Sequence, residues 1–90
     1  MSYSLFYSDE AKKDFRHLDK SKAIILRQKL ETLAKNPYAP NNNINFLKNT
    51  ASGFRLRVGN IRVIYELDTQ NKTIYVHKIK PRGSAYDLSL

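Results

Sequence analysis

Three arginines stand close together in the second half of the chain, in the segment FRLRVGNIRVIYEL. They are Arg55, Arg57 and Arg62. The planar guanidinium group donates two parallel, charge-assisted hydrogen bonds, a geometry that suits phosphate especially well. If the fold brings the three side chains together, the segment predicts an anion-binding site. The alternative is a solvated basic surface that binds no ligand.

The turn of this segment decides whether the arginines meet. Gly59–Asn60 is typical of a two-residue hairpin turn, because both residues tolerate positive φ. Such a turn places Arg57 opposite Arg62 and Arg55 opposite Ile64. Like charges directly opposite each other destabilise a sheet, so this pairing favours a bound anion. The other face of the hairpin is apolar and must pack on something; it consists of Phe54, Leu56, Val58, Ile61, Val63, Tyr65 and Leu67.

The overall charge agrees with an anionic ligand. Sixteen Lys and Arg residues against eight Asp and Glu residues give a net charge of +8. No carboxylate lies between Glu31 and Glu66, the window that contains the three arginines. Such a surface attracts nucleic acid, an anionic membrane or an acidic protein partner.

Composition excludes several other classes of protein. The chain has no cysteine, which removes disulfides, thiolate metal sites and cysteine nucleophiles. Its two histidines, His17 and His77, are far apart in sequence, so we expect no metal and no cofactor. No apolar run approaches the about 20 residues of a membrane helix, and MSYSLFYSDE lacks signal-peptide features. We therefore expect a cytoplasmic protein without membrane contact, folded as a single domain over residues 1–90.

Hydrophobic spacing predicts the elements that precede the hairpin. Residues Tyr3 to Tyr7 alternate like a short strand, and Asp9 to Leu18 have the spacing of an amphipathic helix. A second helix, with Leu26 and Leu30 on its apolar stripe, ends at Pro37. Three residues are typical helix N-caps: Ser8 for the first helix, and Asp19 or Ser21 for the second.

A last strand, from about Lys72 to Lys80, has two possible registers. One places Lys78 and Lys80 beside the arginines, and the other places Tyr75 and His77 there. We favour the first, because it leaves Tyr75 in the core; on the same reasoning His77 is a structural residue. Three phenylalanines are also expected in the core: Phe6, Phe15 and Phe46.

These elements define an α+β fold of order β-α-α-β-β-β. We predict a mainly antiparallel four-stranded sheet, with a two-helix hairpin packed on one face and the other face open. The residues after the last strand, KPRGSAYDLSL, contain Pro81 and Gly83, which turn the chain. This turn would place Arg82 and Tyr86 over the arginine face. Lys48, which precedes the hairpin, is expected to contact backbone phosphates.

Nearly the whole chain resembles the RelE/ParE superfamily of bacterial toxins from toxin–antitoxin systems. The resemblance rests on YSDEAKKDFRHLDK, LAKNPYAP, FLKN, GFRLRVGNIRVIYELD and IYVHKIKPRGSAY. It implies the fold deduced above. It also implies a cognate acidic antitoxin, whose C-terminal segment wraps and neutralises the toxin.

In the RelE branch, the resemblance implies a ribosome-dependent mRNA endonuclease that inhibits translation. The ribose 2′-hydroxyl attacks the adjacent phosphate without a metal. By motif position the family's basic residues and tail tyrosine fall on Arg55, Arg57, Arg62, Arg82 and Tyr86; of these we predict Arg57, Arg62, Arg82 and Tyr86 as catalytic. The predicted RNA-binding residues are Arg55, together with Lys48 before the hairpin and Lys78 and Lys80 of the last strand. RNA, the ribosome and the antitoxin are then the expected partners.

The chain departs from the active relatives at two places. Hairpin positions that carry lysine in some of them are arginine here, and arginine stays protonated at neutral pH. Many relatives have Gly-His-Arg where this chain has Lys80, Pro81 and Arg82. The general base is therefore open among Tyr86, Lys80 and the ribosome.

Two other functions fit the same resemblance. A ParE-like protein poisons DNA gyrase by protein contact, without hydrolysis. A catalytically weak member of the fold would only bind RNA or its antitoxin. The arginines together with Tyr86 favour the nuclease, because gyrase inhibitors of this fold usually lack the complete set.

Overall fold

The computed structural model describes residues 2–47 and 53–81. Three predicted site residues, Lys48, Arg82 and Tyr86, lie outside these ranges. The described elements follow the predicted order, with one short strand added. They are β1 (Ser4–Tyr7), α1 (Asp9–Arg16), α2 (Lys20–Lys35), β2 (Ile44–Phe46), β3 (Gly53–Val58), β4 (Ile61–Asp68) and β5 (Thr73–Pro81).

The strands form one sheet in the order β1-β5-β4-β3-β2. β1 runs parallel to β5, and the other neighbours are antiparallel. The predicted α+β class and the mainly antiparallel sheet are confirmed. The sheet has five strands rather than four, because Ile44–Phe46 pairs with the outer side of β3.

Both helices contribute to the core on one face of the sheet, as predicted. Ala11 of α1 and Leu26 and Leu30 of α2 are fully buried. They share one cluster with the apolar face of the hairpin and with β5; its strand members are Leu56, Ile61, Val63, Tyr65, Ile74, Val76 and Ile79. The opposite face of the sheet, which we call the open face, carries the arginines.

Local signals account for the helix boundaries. The Ser8 hydroxyl accepts a hydrogen bond from the backbone N–H of Ala11 at 2.9 Å, so Ser8 caps α1 as expected. The same hydroxyl donates to the carbonyl of His77 at 2.7 Å, which joins the helix to β5. α2 follows Asp19, whose side chain makes no capping hydrogen bond, and it ends at Lys35, shortly before Pro37.

A bulge in β5 makes part of the predicted side-chain placement wrong. Ile64 pairs with Lys78 but Tyr65 pairs with Val76, so His77 is an extra residue in the ladder. The side chains that precede His77 in β5 therefore lie on the opposite face of the sheet from the one that a regular alternation predicts. Tyr75, which we expected in the core, is instead 42% exposed on the open face.

Two of the three phenylalanines predicted for the core are also misplaced. Phe6 is 56% exposed because it faces away from the helices, opposite Tyr75. Phe46 is 61% exposed and stacks on Phe54 at the β2 edge of the sheet. Phe15 packs against the core cluster, as expected.

Candidate functional site

The β3–β4 hairpin brings the three arginines to one face. Arg57 lies directly opposite Arg62, and Arg55 lies opposite Ile64, which is the predicted register. The turn is closed by Gly59, whose φ of 60° lies in the left-handed region that glycine adopts easily. Arg57 is exposed, while Arg55 and Arg62 are partly buried. The hairpin therefore presents guanidinium groups from both of its strands on the open face.

One hydrogen-bond donor of Arg55, its Nε, is unusual in its surroundings. Its Nε is buried and has no hydrogen-bond partner within residues 2–47 and 53–81. A buried donor without an acceptor costs about 1–3 kcal/mol, so native proteins rarely keep one without a reason.

β5 extends the basic surface across a third strand. Lys80 lies opposite Arg62, and Lys78 lies opposite Ile64, so the favoured register is confirmed at these two positions. Arg57, Arg62 and Lys80 thus form one row of cations across β3, β4 and β5. We call these three residues the basic row.

The Lys80 ammonium turns away from the row towards α1. Its Nζ lies 2.8 Å from Oδ1 of Asp14 and 2.9 Å from Oε2 of Glu10. The hydrogen bond to Asp14 is the main cause that raises the pKa of Lys80 to about 12. Lys80 therefore stays protonated at neutral pH and is a poor proton acceptor.

The bulge adds two groups to the open face that the favoured register did not place there, although the alternative register did. His77 places its Nε2 2.6 Å from Oε1 of Glu66, and both side chains are about half exposed. Tyr75 stacks on Phe6, with ring centroids 5.7 Å apart. A signal for the bulge was present in the sequence. The buried apolar residues of β5 are Ile74, Val76 and Ile79, so the apolar spacing changes from two to three.

In residues 2–47 and 53–81, no group of three or more His, Cys, Asp or Glu side chains could hold a metal ion. In the same ranges, no helix has the length and apolar character needed to cross a membrane.

The family follows from a comparison with known proteins. The model of the family described as ParE toxin of type II toxin-antitoxin system, parDE, matches residues 5–86. The chain therefore belongs to the ParE toxin family, within the RelE/ParE superfamily of toxins from toxin–antitoxin systems. No curated protein matches its sequence.

Solved structures show the same fold. The archaeal RelE–RelB complex from Pyrococcus horikoshii OT3 contains a chain with 27% identity and a TM-score of 0.80, covering 94% of this chain and 100% of that one. The RelBE2 complex from Mycobacterium tuberculosis gives 19% identity and a TM-score of 0.77, covering 91% and 100%. The isolated E. coli RelE toxin gives 18% identity and a TM-score of 0.79, covering 98% and 93%.

Proposed function

We propose that this toxin is a ribosome-dependent endoribonuclease that cuts mRNA and so inhibits translation. The observation that carries the proposal is the cross-strand pair of Arg57 and Arg62, with Arg55 beside it on the open face. Such a concentration of guanidinium groups is destabilising without an anion and suits a phosphodiester.

The proposed reaction is attack of the ribose 2′-hydroxyl on the adjacent phosphorus. The attacking oxygen loses its proton, the bond from phosphorus to the 5′-oxygen breaks, and that oxygen takes up a proton. Arg57 and Arg62, with Arg82 from the tail, would stabilise the extra negative charge on the phosphoryl oxygens. Tyr86 would stack on the nucleotide or share the proton. Lys48, Arg55 and Lys78 would supply the surrounding positive field that attracts RNA. Lys80, which the sequence predicted to bind RNA, has its charge offset by Asp14 and Glu10 and is left out of this set.

The proposed protein partner is an acidic antitoxin whose C-terminal segment wraps the toxin. Two considerations support it. The similar chains from Pyrococcus horikoshii and Mycobacterium tuberculosis were solved as complexes with an antitoxin. The net charge of +8 favours an acidic partner and speeds its association.

A second function has one specific observation in its favour. The family model that matches the chain is the one described for ParE toxins, and a ParE-like toxin would inhibit DNA gyrase by contact alone. The opposed arginines Arg57 and Arg62 favour the nuclease over this alternative, because a contact inhibitor has no need for such a pair.

Induction of the toxin in bacteria would separate the two functions. We expect growth arrest, with mRNA cut within codons when cellular transcripts are mapped by primer extension. Replacing Arg57 and Arg62 with Ala should lower cleavage about 100-fold or more, the usual effect of removing a transition-state donor. Lys29→Ala, an exposed cation on α2, is the matched control and should remain toxic.

Other outcomes would contradict the nuclease. DNA breaks and an SOS response during continued translation would indicate gyrase as the target. A double arginine variant that folds, by circular dichroism, and still cuts mRNA at the original rate would remove the arginines from the mechanism. Arg82→Ala combined with Tyr86→Phe should also relieve the arrest, if the tail residues act as proposed.

A further inference from the structure

Two exposed aromatic rings lie at the far end of the open face from the basic row. Phe6 of β1 and Tyr75 of β5 are directly opposite in the parallel ladder. Their rings are stacked, with an interplanar angle of 26°. Phe6 is 56% exposed and Tyr75 is 42% exposed, so the pair leaves much ring surface in solvent. We call these two residues the aromatic pair.

Polar groups stand beside the aromatic pair. Tyr75 and His77 border a cleft of about 540 Å³, whose other lining residues are Glu66, Leu67, Asp68, Thr69 and Gln70. The contact between His77 and Glu66 sets the position of the imidazole on one side of this cleft. An aromatic surface next to hydrogen-bonding groups is the arrangement that receives a nucleobase, whose face stacks and whose edge hydrogen-bonds.

The sheet fixes the spacing between the aromatic pair and the basic row. Tyr75 lies opposite Glu66, and Lys80 lies opposite Arg62, four residues earlier on the same strand β4. Four residues of strand extend about 13 Å. That length corresponds to a few nucleotides of extended single-stranded RNA, so one strand of RNA could contact both places at once.

We propose that the aromatic pair is a nucleobase subsite, which binds one base of a single-stranded RNA whose phosphate lies at the basic row. The proposal deepens the proposed function and rests on it. A row of cations combined with an aromatic stacking surface is how single-stranded nucleic acids are held. Glu66 and Asp68 make this end acidic, so it repels phosphate and accepts the amino groups of a base. The subsite would fix the position of the RNA relative to the arginines.

Binding of an RNA hexamer tests the subsite. The RNA carries 2′-O-methylribose at every position, so its nucleophile is blocked and it cannot be cut, and a terminal fluorophore reports binding by anisotropy at low salt. We expect Tyr75→Ala to weaken binding about tenfold, within the range of one base–aromatic stack. Tyr75→Phe should bind like the original protein. Tyr38→Ala is the matched control, because Tyr38 is 63% exposed but contacts Tyr3 rather than the open face.

Removing single bases from the RNA locates the contact. An abasic nucleotide is placed at each position in turn, and each RNA is measured with both the original protein and Tyr75→Ala. At one position, the abasic RNA should bind the original protein about tenfold more weakly than the intact RNA does. The same RNA should lose almost no affinity for Tyr75→Ala, because the base and the ring take part in the same contact. A second set of RNAs has one phosphate neutralised at a time. The phosphate whose neutralisation weakens binding as much as Arg62→Ala does should lie a few nucleotides from the position found with the abasic RNAs.

The outcomes separate the subsite from the proposed function. If Tyr75→Ala binds every RNA like the original protein while the arginine variants bind weakly, the subsite is wrong and the nuclease stands. If the original protein binds no hexamer even at millimolar RNA, the subsite is also wrong. If the RNA binds but the double arginine variant neither loses affinity nor stops cutting mRNA, the proposed function itself fails.

Discussion

The contact between α1 and the end of β5 should carry a measurable share of the stability. Asp14 uses both carboxylate oxygens there. Oδ1 accepts from Nζ of Lys80 at 2.8 Å, and Oδ2 accepts from the backbone N–H of Ile79 at 3.0 Å. The side chains of Asp14 and Lys80 are only 13% and 17% exposed. Asp14→Asn would keep an oxygen for Ile79 but remove the charge that Lys80 faces.

The shifted pKa of Lys80 sets the size of this effect. A rise from 10.5 to about 12 corresponds to about 2 kcal/mol of preference for the charged form in the folded state. Glu10 supplies part of that preference, and its side chain is 48% exposed, so water screens its share. We therefore expect Asp14→Asn to lower the free energy of unfolding by about 1–2 kcal/mol.

Urea unfolding followed by circular dichroism measures this change. The midpoint should fall while the dependence on urea stays the same, since the surface exposed on unfolding does not change. Glu10→Gln is the matched control. It should lower the free energy of unfolding by less than about 1 kcal/mol, as is usual for a partly exposed ion pair. Equal midpoints for Asp14→Asn and the original protein would refute the reasoning.

Three further predictions concern the hairpin, the first helix and the core. Gly59→Ala should cost about 1–2 kcal/mol in urea unfolding from its positive φ alone, since an added Cβ meets nothing within 4 Å; an unchanged midpoint would contradict this. Ser8→Ala should cost at least about 1 kcal/mol, because it loses the cap and the bond to His77, and amide exchange in α1 should accelerate. Burial raises the pKa of Tyr65 from 10.0 to about 12. Its contribution to the free energy of unfolding is therefore complete below pH 10 and decreases between pH 10 and 12. In Tyr65→Phe the free energy of unfolding should decrease less over this pH range.

The hairpin was predictable because its signals are local. The Gly59–Asn60 turn and the strict alternation on both sides of it determine the register residue by residue. The same holds for α1, where the Ser8 cap and the apolar spacing agree. The placement of Arg55, Arg57 and Arg62 on one face followed directly from these patterns.

The remainder depends on contacts between distant segments. The three residues of β2 show no alternation of their own and form a strand only by pairing with β3. The orientation of Tyr75 depends on a bulge opposite Ile64 and Tyr65, on another strand. The ammonium of Lys80 is held by carboxylates of α1, a partner that periodicity cannot reveal. The sequence therefore predicted the basic residues of the open face but missed its aromatic end.

The parallel pairing of β1 with β5 has a consequence for how the toxin is made. β1 is one of the two edge strands of the described sheet, and its hydrogen-bonded neighbour in the described chain is the last strand. During synthesis, residues 4–7 must wait for residues 73–76 before that ladder can close, so the contact is among the most distant that the chain makes. The nascent polypeptide thus gains this ladder only after residues 73–76 have been synthesised, and a product that terminates before them would lack it.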